Sequence, residues 1–267
     1  MDEWTSENVL ITVMTYPHPS RGYKEIVCTA GINDKGEWVR LYPIDFRHRP
    51  KGQQFKKYQW INVNLKTRAA SEDKRKESRE PDLHSISLIG QALSSKNQWA
   101  DRRKIIDRMP HCTLEQLKSQ YDVDKTSLGI VQPSKVHDLE VKRVEGEWKL
   151  QWKGLYAQLD LFGRTMLPLR KIPFKFSYIF SCADDASKRH TAMIEDWELG
   201  ALWLNLYKEY GNEELAAEKV KQKYLEEICA PDKETRFFMG TVYPYNSWVV
   251  LGVFWPPRKR QLSLLEG

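Results

Sequence analysis

The densest set of chemically useful side chains lies in Phe180-Ser-Cys182-Ala-Asp184-Asp185-Ala-Ser-Lys188-Arg189-His190, continuing to Glu195-Asp196-Trp197-Glu198. A cysteine directly after an aromatic run, with a histidine eight residues on, is a candidate thiolate nucleophile. A thiolate needs a cation or a helix N-terminus to lower its pKa. Lys188, Arg189, His190 and a helix expected to open at Thr191 would supply both. Asp184, Asp185 and Glu195 are carboxylates suited to orient His190 or to act as a general base. The catalytic candidates are therefore Cys182, His190, Glu195 and Asp184. In the alternative reading Cys182 is a small buried hydrophobe and His190 a capping side chain. No metal site is assigned. Zinc is a possible cofactor only if Cys182 and His190 gain further ligands from Cys28, His111 or Cys112, all distant in sequence.

Other signatures are missing. The chain has no P-loop, GxGxxG, HExxH, GxSxG, or deaminase HxE with PCxxC. Most nucleotide hydrolases, Rossmann oxidoreductases, zincins and zinc deaminases are thereby set aside. Candidate nucleic-acid contacts come from basic residues near aromatic ones: Arg40 and Arg47 around Tyr42, then Lys74, Arg75 and Lys76, then Arg102, Arg103 and Lys104. Arg68 and Arg79 belong to the second of these segments. Around Tyr42 they suit a phosphate or base platform; in the other two segments they would hold the phosphate backbone, which carries no sequence information. The competing reading is local neutralisation, with Glu72, Asp73, Glu77 and Glu80 interleaved among the cations and Arg40 turned outward on a half-exposed hairpin.

Phe-x-Cys at 180–182, His190, Asp-Trp-Glu at 196–198, Phe-Met-Gly-Thr at 238–241 and Leu-Gly-Val-Phe-Trp-Pro-Pro at 251–257 together resemble an uncharacterised bacterial family. VCTAGI (27–32) and GEWVRLYPIDFR (36–47) extend the likeness over most of the chain. The pattern is similar to the third protein of the deazapurine DNA-modification (Dpd) cluster. That resemblance implies a DNA-modification enzyme of a bacterial modification or defence locus, hydrating 7-cyano-7-deazaguanine in DNA to its 7-amido form. It also implies DNA and other proteins of the cluster as partners. Cys182 would attack the nitrile carbon, and water would then release the amide. The family pattern has a further cysteine where this chain has Ala186 or Ser187, which weakens a metal-binding role for Cys182. Two alternatives stand beside the enzyme: a non-catalytic nucleic-acid-binding module and a partner-binding subunit of a defence system.

The elements that must position these residues read as follows. Strands are expected at Val9–Tyr16, Lys24–Ile32, Glu37–Ile44 and Tyr58–Leu65, with a hairpin turn at Asp34–Gly36. Lys66–Glu80 reads as an exposed loop. A short helix over Trp99–Met109 precedes a second opened by the capping box of Thr113-Leu-Glu-Gln116. Strands follow at Leu128–Val131 and Val136–Val144, the latter expected to form a hairpin with Trp148–Trp152. Phe174–Phe180 reads as a strand, Cys182–His190 as a polar loop, and Thr191–Tyr210 as an amphipathic helix that buries Met193, Trp197, Ala201 and Leu204. A further helix spans Glu213–Cys229, and strands cover Phe237–Tyr243 and Trp248–Phe254. The sum is an α+β protein, mostly antiparallel β-sheet with a helical C-terminal half. The expected domains are 1–160, β-rich and basic, and 161–267, carrying the Cys182–His190 loop, with a soft boundary near 155–172.

Composition sets the frame. The 267 residues carry 42 Lys plus Arg against 36 acids, a net +6, and 12% are aromatic. That balance favours polyanions, and the aromatic residues offer stacking surfaces. No apolar run is long enough to span a bilayer, so no membrane partner is expected. The N-terminus has no long apolar segment of a secretory leader. Four separated cysteines without a CxxC pair suit a reducing cytoplasm.

Overall fold

Strand β1 (Trp4–Met14) is central because its second half is apolar on both faces, and every residue from Val9 to Met14 is buried. A computed structural model describes residues 4–20, 24–66, 73–150, 152, 169–242 and 247–259. The expected run Lys24–Ile32 divides in two. Strand β3 (Lys24–Ile26) pairs with β2 (His18–Ser20), and β4 (Thr29–Asn33) pairs with β1. β4 turns into β5 (Trp38–Leu41) as expected. Asn33 Oδ1 accepts the amides of Lys35 and Glu37, and Gly36 takes the left-handed φ of +80° that the turn requires. β6 (Trp60–Lys66) alternates buried and half-buried residues along the other edge of β1. With β7 (Ser78–Arg79) and β8 (Ser87–Ile89), the sheet order is β7-β5-β4-β1-β6-β8.

Helix α1 (Lys96–Ile106) opens with three left-handed residues, Asn97, Gln98 and Trp99. They are held by Trp99 packing on Phe254 and Trp255, and by Arg103 Nε bonded to the Gln98 carbonyl. After β9 (His111–Cys112), the capping box forms as the sequence predicts: Thr113 Oγ1 accepts the Gln116 amide and Gln116 Oε1 accepts the Thr113 amide, starting α2 (Leu114–Asp124). β10 (Leu128–Val131) leads to β11 (Lys135–Arg143), β12 (Phe174–Cys182) and β13 (Asp185–Met193), a three-stranded antiparallel sheet in that order. Helices α3 (Trp197–Tyr210) and α4 (Glu213–Lys221, continued by a π turn at Gln222–Glu227) cover its inner face. Phe176, Tyr178 and Phe180 meet Trp203, Ala217, Val220 and Tyr224 there. β14 (Arg236–Val242) and β15 (Ser247–Phe254) complete a sheet of order β15-β14-β10-β9. Among the described strands pairing is antiparallel except for β5 with β7 and β9 with β10.

Four expectations are corrected. The C-terminal half is not helical: β12–β15 hold as much of it as α3 and α4, so the chain is mixed α+β throughout. Residues 182–190 form a hairpin, because Asp185 Oδ1 accepts the Ser187 and Lys188 amides and turns the chain back against β12. Residues 191–193 extend that strand, and the helix waits until Trp197, where buried Asp196 caps it by accepting the Glu198 amide. Its buried residues are accordingly Leu199, Gly200 and Trp203. Last, β11 pairs with β12 and not with 148–152, where Leu150 and Trp152 are helical. The soft boundary falls largely on 153–168, outside the described residues. Across it, β10 pairs with β14 and β11 with β12.

Arg40 ties the first sheet to β10. It is fully buried and donates to Cys28 Sγ at 3.1 Å, and to the carbonyl and hydroxyl of Ser127 at 3.1 and 3.2 Å. Ser127 in turn gives its amide and hydroxyl to buried Glu77. Removing a buried charge from such a relay leaves its partners unanswered. Arg40→Ala should lower unfolding free energy by about 3–5 kcal/mol, the usual cost of breaking a buried charge pair. Urea denaturation at pH 7 measures this, and a loss below about 1 kcal/mol would show the relay is not stabilising.

Candidate nucleic-acid interface

Cys182 and His190 do not form a couple. Cys182 is opposite Asp185 and His190 opposite Phe180 in the β12–β13 ladder, and no hydrogen bond joins them among the described residues. Cys182 is 0% exposed, and burial pushes its thiol up despite the Leu114 amide at the start of α2. His190 is buried 3.8 Å from Glu115, and burial followed by Lys118 pulls it down. Asp184 accepts the Thr113 hydroxyl at 2.8 Å. Glu195 reaches a different histidine: His18 Nε2 lies 3.4 Å from its carboxylate, and that contact raises His18 although burial opposes it.

The Asp-Trp-Glu segment holds a cation that sequence reasoning missed. Lys57 Nζ lies 3.2 Å from both oxygens of Asp196 and 2.7 Å from Glu198. The Lys57 and Asp196 side chains are buried, whereas Glu198 is largely exposed. One ammonium faces two carboxylates. Burial, together with the Glu198 charge, raises Asp196 to about 6 despite Lys57. Tyr58, in left-handed conformation, buries a hydroxyl with no partner and carries Arg102 over its ring at 4.0 Å. Nothing in sequence spacing links residue 57 to 196. The local signal was the pair of carboxylates, Asp196 and Glu198, on either side of Trp197.

Most of the predicted phosphate contacts are engaged within the protein. Arg40 is corrected from a surface contact to the buried tie described above. Arg47 grips Glu25 at 2.8 and 2.9 Å. Arg75 forks onto Asp73, which is thereby lowered to about 2 against its partial burial. Lys76 pairs with Asp124, and Lys104 with Asp101. Arg103 is buried between Glu234, the Gln98 carbonyl and the Pro257 carbonyl. Arg102 sets its guanidinium over the rings of Tyr58 and Trp99 and donates to the Leu93 carbonyl. Arg79 donates to two backbone carbonyls, and Lys74 is exposed. Arg68 and Glu72 lie outside the described residues.

A different set of cations is exposed together. Along β12, Phe176, Tyr178, Phe180 and Cys182 turn to the core, so Lys175, Ser177, Ile179 and Ser181 share the opposite face. On that face Lys142 stands directly across from Lys175, and Lys135 across from Ser181. Arg189 joins them from β13. All four cations are exposed, and none forms an ion pair among the described residues. The strand Lys-Val-His-Asp-Leu-Glu-Val-Lys-Arg was legible as a strand, but which of its charges would gather with those of 175 and 189 depended on pairing.

Comparison with known families decides the chain's place. The family defined as domain of unknown function DUF8757 matches residues 109–266. The chain belongs to this family. A second, domain of unknown function DUF8758, matches residues 5–108. No functionally curated protein matches the sequence. A solved murine DNA-binding protein bound to double-stranded DNA is similar over 97% of this chain and 98% of its own, at 10% identity and a TM-score of 0.28, too low to carry an argument.

The basic face lies wholly in the DUF8757 portion, whereas the Lys57 centre joins the two portions. A carboxyl whose folded pKa lies above its unfolded value stabilises most below the unfolded value, and loses that contribution as pH rises through the folded one. For Asp196 the window is about pH 4 to 6. Asp196→Asn keeps a capping side chain and removes the titration. Relative to wild type, this variant should gain stability as pH rises from 4 to 7 in denaturant titrations. A difference independent of pH would place the ionisation elsewhere.

Proposed function

We propose that this DUF8757 protein binds nucleic acid through the outer face of β11–β12–β13, neutralising backbone phosphates with Lys135, Lys142, Lys175 and Arg189. One observation carries the reading: Lys142 and Lys175 stand directly opposite each other, exposed and without ion pairs among the described residues. Like charges in directly opposed cross-strand positions destabilise a sheet; Glu140, on the same face opposite Ser177, offsets part of that cost, and an external anion over the pair would relieve the rest. The net charge of +6 supports the same partner. The finer possibility from the resemblance, hydration of 7-cyano-7-deazaguanine in DNA, requires a nucleophile that reaches a base. Cys182 is enclosed in the core, so the proposal is confined to binding.

Each phosphate neutralised contributes about 0.9 to the slope of log affinity against log salt on duplex DNA. The double variant Lys142→Ala/Lys175→Ala should flatten that slope by about two units in fluorescence-anisotropy titrations. The same variant should unfold at equal or slightly higher denaturant concentration, a gain of up to about 1 kcal/mol from relieved repulsion. An unchanged slope would remove this face from the interface.

A further inference from the structure

Two irregularities of the three-stranded sheet converge on Ser181. The β11–β12 register slips between Val136 and Asp138, leaving His137 as the extra residue. The β12–β13 register slips between Phe180 and Cys182, the two neighbours of Ser181. Bulges re-aim side chains and are enriched beside functional sites. Here they bring His137 over Ser181, with Nε2 2.8 Å from Ser181 Oγ. Ser181 is itself pinned, since its carbonyl accepts both the amide and the hydroxyl of Ser134 at 2.9 and 3.1 Å. Lys135 stands across from Ser181 on β11, and Arg189 lies in the bulged stretch of β13.

We propose that His137, Lys135 and Arg189, gathered around Ser181 by the two bulges, form a binding site for a single phosphate group, with His137 donating a hydrogen bond to it. The site rests on the proposed nucleic-acid-binding face and names its most specific contact. Ser181 occupies Nε2, so Nδ1 is the nitrogen left for the ligand. When the imidazole is protonated, both nitrogens donate, one to Ser181 Oγ and one to a phosphate oxygen. Flanking cations then share the anion's charge.

The electrostatics of the face give this arrangement a readable signature. Partial desolvation, followed by the charges of Arg189 and Lys135, holds His137 below the ordinary histidine value. The remaining charged groups nearby on β11 are Asp138, engaged by Lys221 of α4 at 2.8 Å, and Glu140, opposite Ser177. An anion seated between Lys135 and Arg189 cancels the field that suppresses protonation. Binding therefore takes up a proton at His137, and affinity weakens as pH rises from the lowered midpoint of the free protein through the raised midpoint of the complex.

The test follows the His137 ring nitrogens by long-range proton–nitrogen NMR, assigned with His137→Gln, in the full-length protein. Inorganic phosphate and a short DNA duplex serve as separate probes. Each is expected to raise the His137 titration midpoint by about one unit or more, corresponding to roughly tenfold tighter binding to the protonated form. Arg189→Gln, an exposed position, should remove most of that shift while leaving the other histidine resonances in place. Duplex binding with a steep salt slope but no movement of His137 overturns the phosphate site and leaves the basic face standing. Movement of His137 with phosphate, in a protein that does not bind the duplex, supports the site and removes the nucleic-acid reading. No movement with either probe overturns the site outright.

Discussion

The buried ammonium of Lys57 is the constraint around which the two portions of the chain are arranged. It leaves the first sheet and ends between Asp196 and Glu198, at the first turn of α3. A charge out of water is costly unless its partners are close and correctly placed. Burial by itself would lower Lys57, but the two carboxylates outweigh it and keep the side chain charged. That requirement sets the distance between β6's approach segment and the α3 N-terminus. Backbone contacts follow it: Tyr16 N–H donates to the Glu195 carbonyl, and Glu195 N–H donates to the Val250 carbonyl. The segment is thus stitched between β1's end and β15, and α3 is started where it can cover β12.

Two other buried charge groups repeat the pattern. Arg40, Ser127 and Glu77 link β5 and the β7 approach to β10. Arg103 and Arg236 share Glu234, and Arg236 also pairs with Asp107, so α1 is fixed to β14. All of these cross between the portions matched by DUF8758 and DUF8757, or join α1 at their junction. Apolar packing alone would hold the layers without specifying their registration. Buried polar groups that are satisfied in only one arrangement supply a reason for a single one.

This use of charge inside the molecule explains what is left outside. Most basic residues singled out by clustering in sequence have an acid or a carbonyl within reach, some from chain neighbours and others, such as Arg47 with Glu25 and Arg103 with Glu234, from partners that the fold brings in. Arg75 with Asp73 and Lys104 with Asp101 show the local case over two and three residues. The four cations of the outer face come from three strands, with Lys142 and Lys175 33 residues apart in the chain, and meet only because β11, β12 and β13 are neighbours. Sequence density of charge was therefore a poor guide to the basic surface. Alternation along strands was the useful property, since it puts Lys175 outward whenever Phe176 and Tyr178 are inward.

The sequence by itself determined the elements whose signals are local. The turn before Trp38, the capping box at Thr113, the alternating strand β6 and the aromatic strand β12 all rest on interactions within a few residues. These interactions exist in any tertiary context. It also placed Asp196 and Glu198 in a distinctive segment and suited Glu195 to orient a histidine, expected to be His190 where the structure has His18. Tertiary structure decided the rest. Residues 185–190 are polar and lack an apolar period, so they read as a loop until pairing with β12 makes them an outer strand. The start of α3 depended on Asp196 being buried against Lys57, which moved it from Thr191 to Trp197. The fate of each charge, whether inside with a partner 139 residues away, as for Lys57 and Asp196, or outside without one, was set by which strands became neighbours. Long-range pairing energies of that kind have no local signature in the chain.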